Sequence, residues 1–167
     1  MSNEAFEVNG WTVYAHPLFL DQLEAMIKAV EKARKKDQRG YKKRRATKLF
    51  AAVLRVAFED VPGDPTRDIY RQVSTRGDDY KHWFRVKFLQ QFRLFFRYHQ
   101  SENAKVIVLA WVIEDTTLRV YESATDAYAV FRKMLDRGSP PDTWKALLAA
   151  ASRFESKRRL SRTTRVR

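Results

Sequence analysis

The sequence predicts a small α+β domain, and three observations carry that reading. Residues 17 to 60 place apolar side chains at helical spacing in two blocks separated by Gly40. Residues 83 to 112 hold two alternating runs and one continuous apolar run, the patterns of half-buried and fully buried strands. Residues 124 to 154 then return to helical spacing. The order β, αα, βββ, αα fits one domain over residues 1 to 152, followed by a basic tail over 153 to 167.

Trp11 to Ala15 reads as a short strand, and Pro17 suits the first turn of the helix that follows. Leu20, Leu23, Ile27 and Val30 put one face of a helix over 17–38 inward. A second helix over 42–60 buries Leu49, Val53 and Ala57, with Phe50 and Leu54 beside them. The short link around Gly40 makes the pair an antiparallel hairpin. Residues 61 to 80 are rich in Pro, Gly, Asp and Thr and read as a surface connection, with IYRQV as a short edge strand. After the strand runs, Ala127, Tyr128, Phe131, Met134 and Leu135 mark a third helix over 124–137, stopped by Gly138. Ser139, Pro140, Pro141 and Asp142 resemble a helix start, and Trp144, Leu147, Leu148, Ala151 and Phe154 form that helix's inner face. The tail SKRRLSRTTRVR is too poor in apolar residues to order itself alone.

Charge and composition narrow the function. The 167 residues carry 33 Lys and Arg against 20 Asp and Glu, a net +13, which draws polyanions or acidic proteins. The longest apolar run, Val106 to Ile113, is too short to span a bilayer, and MSNEAFEVNG lacks the order of a secretory signal. No cysteine is present, so disulfides and thiolate chemistry are excluded. No HExxH motif and no acid pairs at ligand spacing occur, so no metal site is expected, and the scattered glycines build no phosphate-cradling loop. These features predict a soluble cytoplasmic protein.

The segment WFRVKFLQQFRLFFRY, residues 83 to 98, concentrates the positive charge. It has seven aromatic rings, four cations and no acid. Strand side chains alternate between faces, so Trp83, Arg85 and Lys87 share one face while Phe84, Val86 and Phe88 share the other. A three-residue turn at Leu89-Gln90-Gln91 pairs Phe88 with Phe92, Lys87 with Arg93, Arg85 with Phe95 and Phe84 with Phe96. That register leaves one face wholly apolar and puts the cations, Arg97 included, on the other. A slip of one residue would drive arginines into the core. Directly opposed like charges cost roughly 0.2–1 kcal/mol per pair, so Lys87 facing Arg93 needs an answering anion. Glu114 or Asp115 could supply it from within the chain; a phosphodiester could supply it from outside.

VNGWTVYAHPLF (8–19), ATKL (46–49), WFRVKF (83–88), FRLFFRY (92–98), TLRVY (117–121), TDAYAVFRKML (125–135) and RGSPPDTW (137–144) together resemble the YhaV toxin family. These toxins are the ribonuclease partners in PrlF–YhaV toxin–antitoxin systems and belong to the RelE-like superfamily. The resemblance implies a RelE-like antiparallel sheet of about four strands packed against a helical hairpin, with additional C-terminal helices. It also implies an endoribonuclease that cleaves mRNA, on the ribosome as RelE relatives do, and arrests translation and growth. A PrlF-like antitoxin would neutralise it, and the pair could bind its own operator DNA.

Metal-independent cleavage by the ribose 2′-hydroxyl requires a base, charge stabilisation at phosphorus and an acid for the leaving oxygen. RelE-like enzymes are similar in using lysine, arginine and tyrosine. Lys87 is the expected base, its pKa depressed by Arg85 and Arg93. Arg93 matches the family's phosphate-clamping arginine, Arg85 the basic position two residues before the lysine, and Tyr121 a tyrosine suited to stacking or proton relay. Asp115 departs from the pattern by standing where an arginine is usual, and Arg119 takes that role on the Tyr121 face. The LQQF turn also lacks the family's glycine. The general acid is left unassigned.

Lys42, Lys43, Arg44, Arg45 and Lys48 form a basic opening to the second helix and are expected to grip RNA phosphates, the alternative being a solvated helix face. Trp83 is expected to stack a base or to cover the edge of the patch, and Arg97 to extend the RNA-binding face; Trp11, Trp111 and Trp144 read as core. His16, His82 and His99 titrate near neutrality but are scattered, and surface roles are favoured for the latter two. The rival readings are a basic module that binds RNA or DNA without catalysis, and a structural ribosome-associated protein.

Overall fold

The computed structural model describes residues 6–71, 82–113 and 127–165, and in it one five-stranded sheet lies between two helical layers. The strands are β1 (Glu7–Val8), β2 (Trp11–Ala15), β3 (Phe84–Phe88), β4 (Phe92–Gln100) and β5 (Lys105–Ile113), in the order β1-β2-β5-β4-β3. The α+β class is as expected, with one strand more than predicted. Asn9 and Gly10, with φ of 52° and 81°, close a two-residue turn between β1 and β2, and Val8 faces Trp11 across it. Asn-Gly is the favoured pair for such a turn because both central residues must be left-handed.

The sheet is not wholly antiparallel: β2 runs parallel to β5. Parallel neighbours need a long crossover, and here the helices and the β3–β4 hairpin intervene. The local pattern of either strand cannot encode that relative direction. β5 is central because its run VIVLAWVI is apolar on both faces. Ile107, Leu109 and Val112 face one core, while Val108, Ala110, Trp111 and Ile113 face the other. An irregularity opposite Phe95 and Phe96 places both Ala110 and Trp111 in the second core.

α1 (Pro17–Lys36) buries Leu20 and Leu23 as its spacing predicts, together with Phe19 and Met26, while the expected Ile27 and Val30 are half-buried at the edge of the core. Gln22 fixes it to the sheet: its Nε2 donates to the Val112 carbonyl at 2.6 Å, and its Oε1 accepts the Val112 N–H at 2.9 Å. The amide thus serves as a strand partner where β2 has ended. α2 covers Arg45–Arg55 after a 3-10 turn at Tyr41–Lys43, then widens into a π-helical stretch, Val56–Asp60, and a last turn, Val61–Gly63. Pro62 explains the widening, since its ring would meet the carbonyl of residue 58 in a regular helix.

α3 (Ala127–Asp136) ends as predicted at Gly138, whose φ is 78°; Ser139 N–H closes back on the Met134 carbonyl at 3.1 Å. The predicted start of this helix lies outside the described residues. α4 (Trp144–Ala151) begins later than expected: Thr143, not Ser139, caps it by accepting the Ala146 N–H. Leu147 and Ala151 are its buried face, but Phe154 is 65% exposed and leaves the core. The expected unstructured tail is instead α5 (Phe154–Thr164). Its Leu160 is buried while Phe154, its first residue, is exposed, and Arg159 forks onto Asp21 and Glu24 of α1. Those carboxylates raise the Arg159 pKa further. The docking surface belongs to α1, so tail composition alone could not reveal it. Of the predicted edge strand IYRQV, Asp68–Tyr70 form a 3-10 turn and Arg71 bridges Phe84; the rest lies outside the described residues.

Candidate active site

The β3–β4 hairpin has the register its hydrophobic pattern dictates. Phe84 faces Phe96, Arg85 faces Phe95, Lys87 faces Arg93, and Phe88 faces Phe92 across a turn at residues 89–91. On the apolar face, Phe84, Val86, Leu94, Phe96 and Tyr98 join the core under α1 and α2. The opposite face divides into two regions with different chemistry.

Near the root of the hairpin the face is covered. Trp83 is fully buried and packs edge-on against Phe131 of α3, with ring centroids 5.0 Å apart. Phe95 stacks on Phe131 at 4.1 Å. Trp83 therefore offers no surface to a nucleobase, which corrects the expected stacking role: helix α3 occupies its face. Its Nε1 donates to Asp142 Oδ1 at 2.9 Å, and the same oxygen lies 2.7 Å from His82 Nε2. Arg97 is likewise withdrawn from its expected RNA-binding role. Its guanidinium lies over the rings of Trp83 and Trp144, at 5.6 and 5.5 Å, and donates to the Asp142 carbonyl. Burial depresses its pKa, partly offset by Asp142. Trp144, expected in the core, is half-buried as the outer plate of this sandwich. Asp142, missed by the sequence reading, ties the hairpin root to the start of α4. No local pattern signals that role, because its partners lie 59 and 60 positions away.

Toward the tip Lys87 and Arg93 are not enclosed between rings in this way. Lys87 is exposed, Arg93 half-buried and Arg85 buried. Arg85 Nη1 points to the carbonyls of Ile69 and Arg71, at 3.5 and 3.3 Å. Arg93 Nη1 donates to the Gln90 and Phe92 carbonyls, both at 2.9 Å, while its Nε is buried with no hydrogen-bond partner among the described residues. Among the described residues no carboxylate pairs with Lys87 or Arg93. Arg85 lowers the Lys87 pKa most, followed by desolvation and then Arg93. Burial lowers Arg85 and Arg93 as well. Arg85 is thus placed beneath the lysine rather than beside it on the surface. Glu114, Asp115, Arg119 and Tyr121 lie outside the described residues.

The turn itself is unusual. Leu89 and Gln90 have φ of 45° and 66°, and neither is glycine. A left-handed residue with a Cβ costs roughly 1–2 kcal/mol. Gln91 N–H closes on the Leu89 carbonyl at 2.7 Å, and Leu89, Gln90 and Gln91 are all exposed.

The remaining predicted residues lie elsewhere. Lys42, Lys43, Arg44, Arg45 and Lys48 are exposed on the helical hairpin, which packs on the other face of the sheet from Lys87 and Arg93. Arg44 bridges Asp37 at 3.6 Å. His16 caps α1, its Nδ1 accepting the Leu18 N–H at 3.1 Å, and burial pushes its pKa down to about 4. His99 lies against Trp144. No cluster of three metal-ligating side chains occurs among the described residues, and none of their helices is long and apolar enough to cross a membrane.

Comparison with known proteins agrees with this geometry. Residues 13–152 match the YhaV toxin family, described as toxins with endonuclease activity from toxin–antitoxin systems. The chain is 45% identical over 142 residues to the ribonuclease toxin YhaV of Escherichia coli K12, and equally to toxin YhaV of E. coli O6:H1 strain CFT073. Each alignment covers 84% of this chain and 91% of the relative. No solved structure matches the chain. A β3–β4 hairpin that sets Lys87 opposite Arg93, on a sheet between two helical layers, thus belongs to a member of the YhaV family of endonuclease toxins.

Proposed function

We propose that this toxin is a metal-independent endoribonuclease whose centre is the tip half of the β3–β4 hairpin. The observation that carries the reading is Lys87 facing Arg93 across the strands, with no carboxylate among the described residues to neutralise either. Two cations held together without an anion form a site that a phosphodiester completes. Lys87, held below its ordinary pKa, takes the proton from the ribose 2′-hydroxyl. The hydroxyl oxygen attacks phosphorus, and the guanidinium of Arg93 holds the phosphate as negative charge builds. The bond from phosphorus to the 5′-oxygen breaks as the cyclic phosphate forms, and that oxygen takes a proton from water to leave as a 5′-hydroxyl. Arg85, buried under the pair, acts chiefly through its field on Lys87 rather than by touching substrate. Arg119 and Tyr121 are assigned to charge stabilisation and to stacking or proton relay, by resemblance to the family.

The substrate is mRNA, cut on the ribosome in the cytoplasm, so that translation and growth stop. The neutralising partner is a PrlF-like antitoxin, and the complex binds its own operator DNA. A purified preparation incubated with RNA should yield 2′,3′-cyclic phosphate ends, with cleavage persisting in EDTA. Products ending in 3′-hydroxyl, or full cleavage by Lys87→Ala and Arg93→Ala variants that remain folded, would refute this centre. RNA binding without cleavage would favour a non-catalytic basic module.

A further inference from the structure

The turn between β3 and β4 carries side chains where backbone geometry favours none. In the other tight turn of the sheet, the two left-handed positions are filled by Asn9 and Gly10, residues that tolerate positive φ. Leu89 and Gln90 occupy equivalent left-handed positions, and both project into solvent. Nothing in the packing requires them, since Leu89 is 53% exposed and no described residue accepts a hydrogen bond from the Gln90 side chain. The turn is nevertheless held firmly: Arg93 donates to the carbonyls of Gln90 and Phe92, and Gln91 N–H closes on Leu89. The guanidinium placed on the phosphate thus also fixes where Gln90 stands. Gln90 is three residues from both Lys87 and Arg93, within roughly 10 Å along the strands.

Resting on the nuclease reading above, we propose that Gln90 and Leu89 determine the cleavage site: the Gln90 amide reads the edge of a base beside the scissile phosphate, and Leu89 supports that base from below. A glutamine side chain offers one acceptor and two donors, a set that matches the paired acceptor and donor on the N7–N6 edge of adenine. Single-stranded RNA exposes such edges when its bases are splayed out. Leucine supplies an apolar contact against the face of an unstacked base. A purely structural turn would place Gly or Asn at its left-handed positions; a reading turn needs the side chains despite the strained backbone.

The test compares cut-site maps for the parent, Gln90→Gly and Leu89→Gly on one defined RNA, with thermal melting recorded for each. Relief of the left-handed strain should leave both variants melting at or above the parent. Cleavage by the parent should favour adenine at one position beside the cut by roughly ten-fold, and Gln90→Gly should flatten that preference. An unchanged map in variants that fold overturns the proposal, and a preference for another base overturns the adenine assignment. If Lys87→Ala abolishes cleavage while Gln90→Gly leaves the map intact, only the specificity reading falls. If the parent itself leaves RNA intact, the nuclease reading falls with it.

Discussion

The root and the tip of one hairpin carry the same kind of residue and treat it in opposite ways. Arg97 at the root is enclosed by Trp83 and Trp144 and bonded to the Asp142 carbonyl. Lys87 at the tip faces another cation and is exposed. By alternation alone both sit on the same face of the ribbon. The difference comes from α3 and α4, which cover the root, whereas no described helix packs over Lys87. Cation–π contact and a carbonyl bond turn Arg97 into a rivet. Like charge lowers the Lys87 pKa, and no carboxylate among the described residues pairs with it.

The strongest way to break this comparison is at the tip. Lys87→Ala or Arg93→Ala should lower RNA cleavage by about 10²–10⁴-fold, the usual range for a positioned base or charge. Lys87→Ala should not lower the melting temperature, because a lysine whose folded pKa is depressed is less favourable charged in the fold than in the unfolded chain. The neutral amine is the active form, so cleavage should rise with pH and level off below the ordinary lysine value. Arg85→Gln removes the largest cause of the depression, so the rising limb should move to higher pH. An unmoved limb would separate Arg85 from the lysine.

The frame beneath both regions can be loosened by acid without touching either. His16 is neutral in the fold, with a pKa of about 4 against 6.5 when exposed. Its contribution to stability is complete above pH 6.5 and is lost as pH falls through 4, by up to about 3 kcal/mol. A variant without this histidine should show a flatter denaturant midpoint between pH 7 and 4.

At the root, Arg97→Ala should cost about 2 kcal/mol in urea unfolding, since it removes two ring contacts and a buried charge-assisted bond. Cleavage per folded molecule should change far less than in the tip variants. A loss as deep as that of Lys87→Ala in a well-folded Arg97→Ala would erase the distinction between rivet and reagent. The smallest effect belongs to the basic opening of α2. If Lys42 and Lys43 touch RNA phosphates, replacing both with alanine should reduce the salt dependence of binding by a log–log slope of about 0.7 per contact. An unaltered slope would assign them to solvent, in keeping with their place on the other helical layer.

Local sequence determined the two-helix hairpin, the register of β3 on β4, the central strand, and the meeting of Lys87 with Arg93. Each follows from a repeat of two or 3.6 residues and from the cost of burying a charge, quantities that neighbouring residues settle among themselves. Tertiary structure alone decided that β2 lies parallel to β5, that the basic tail docks as α5 on Asp21 and Glu24, and that Arg97 is enclosed while Lys87 stays exposed. Trp83 and Arg97 were misread for the same reason. Their fate depends on Phe131, Asp142 and Trp144, distant in the chain, which reach the sheet only once α3 and α4 have folded over it. A short pattern can show which face a side chain takes; what covers that face is settled only by long-range packing.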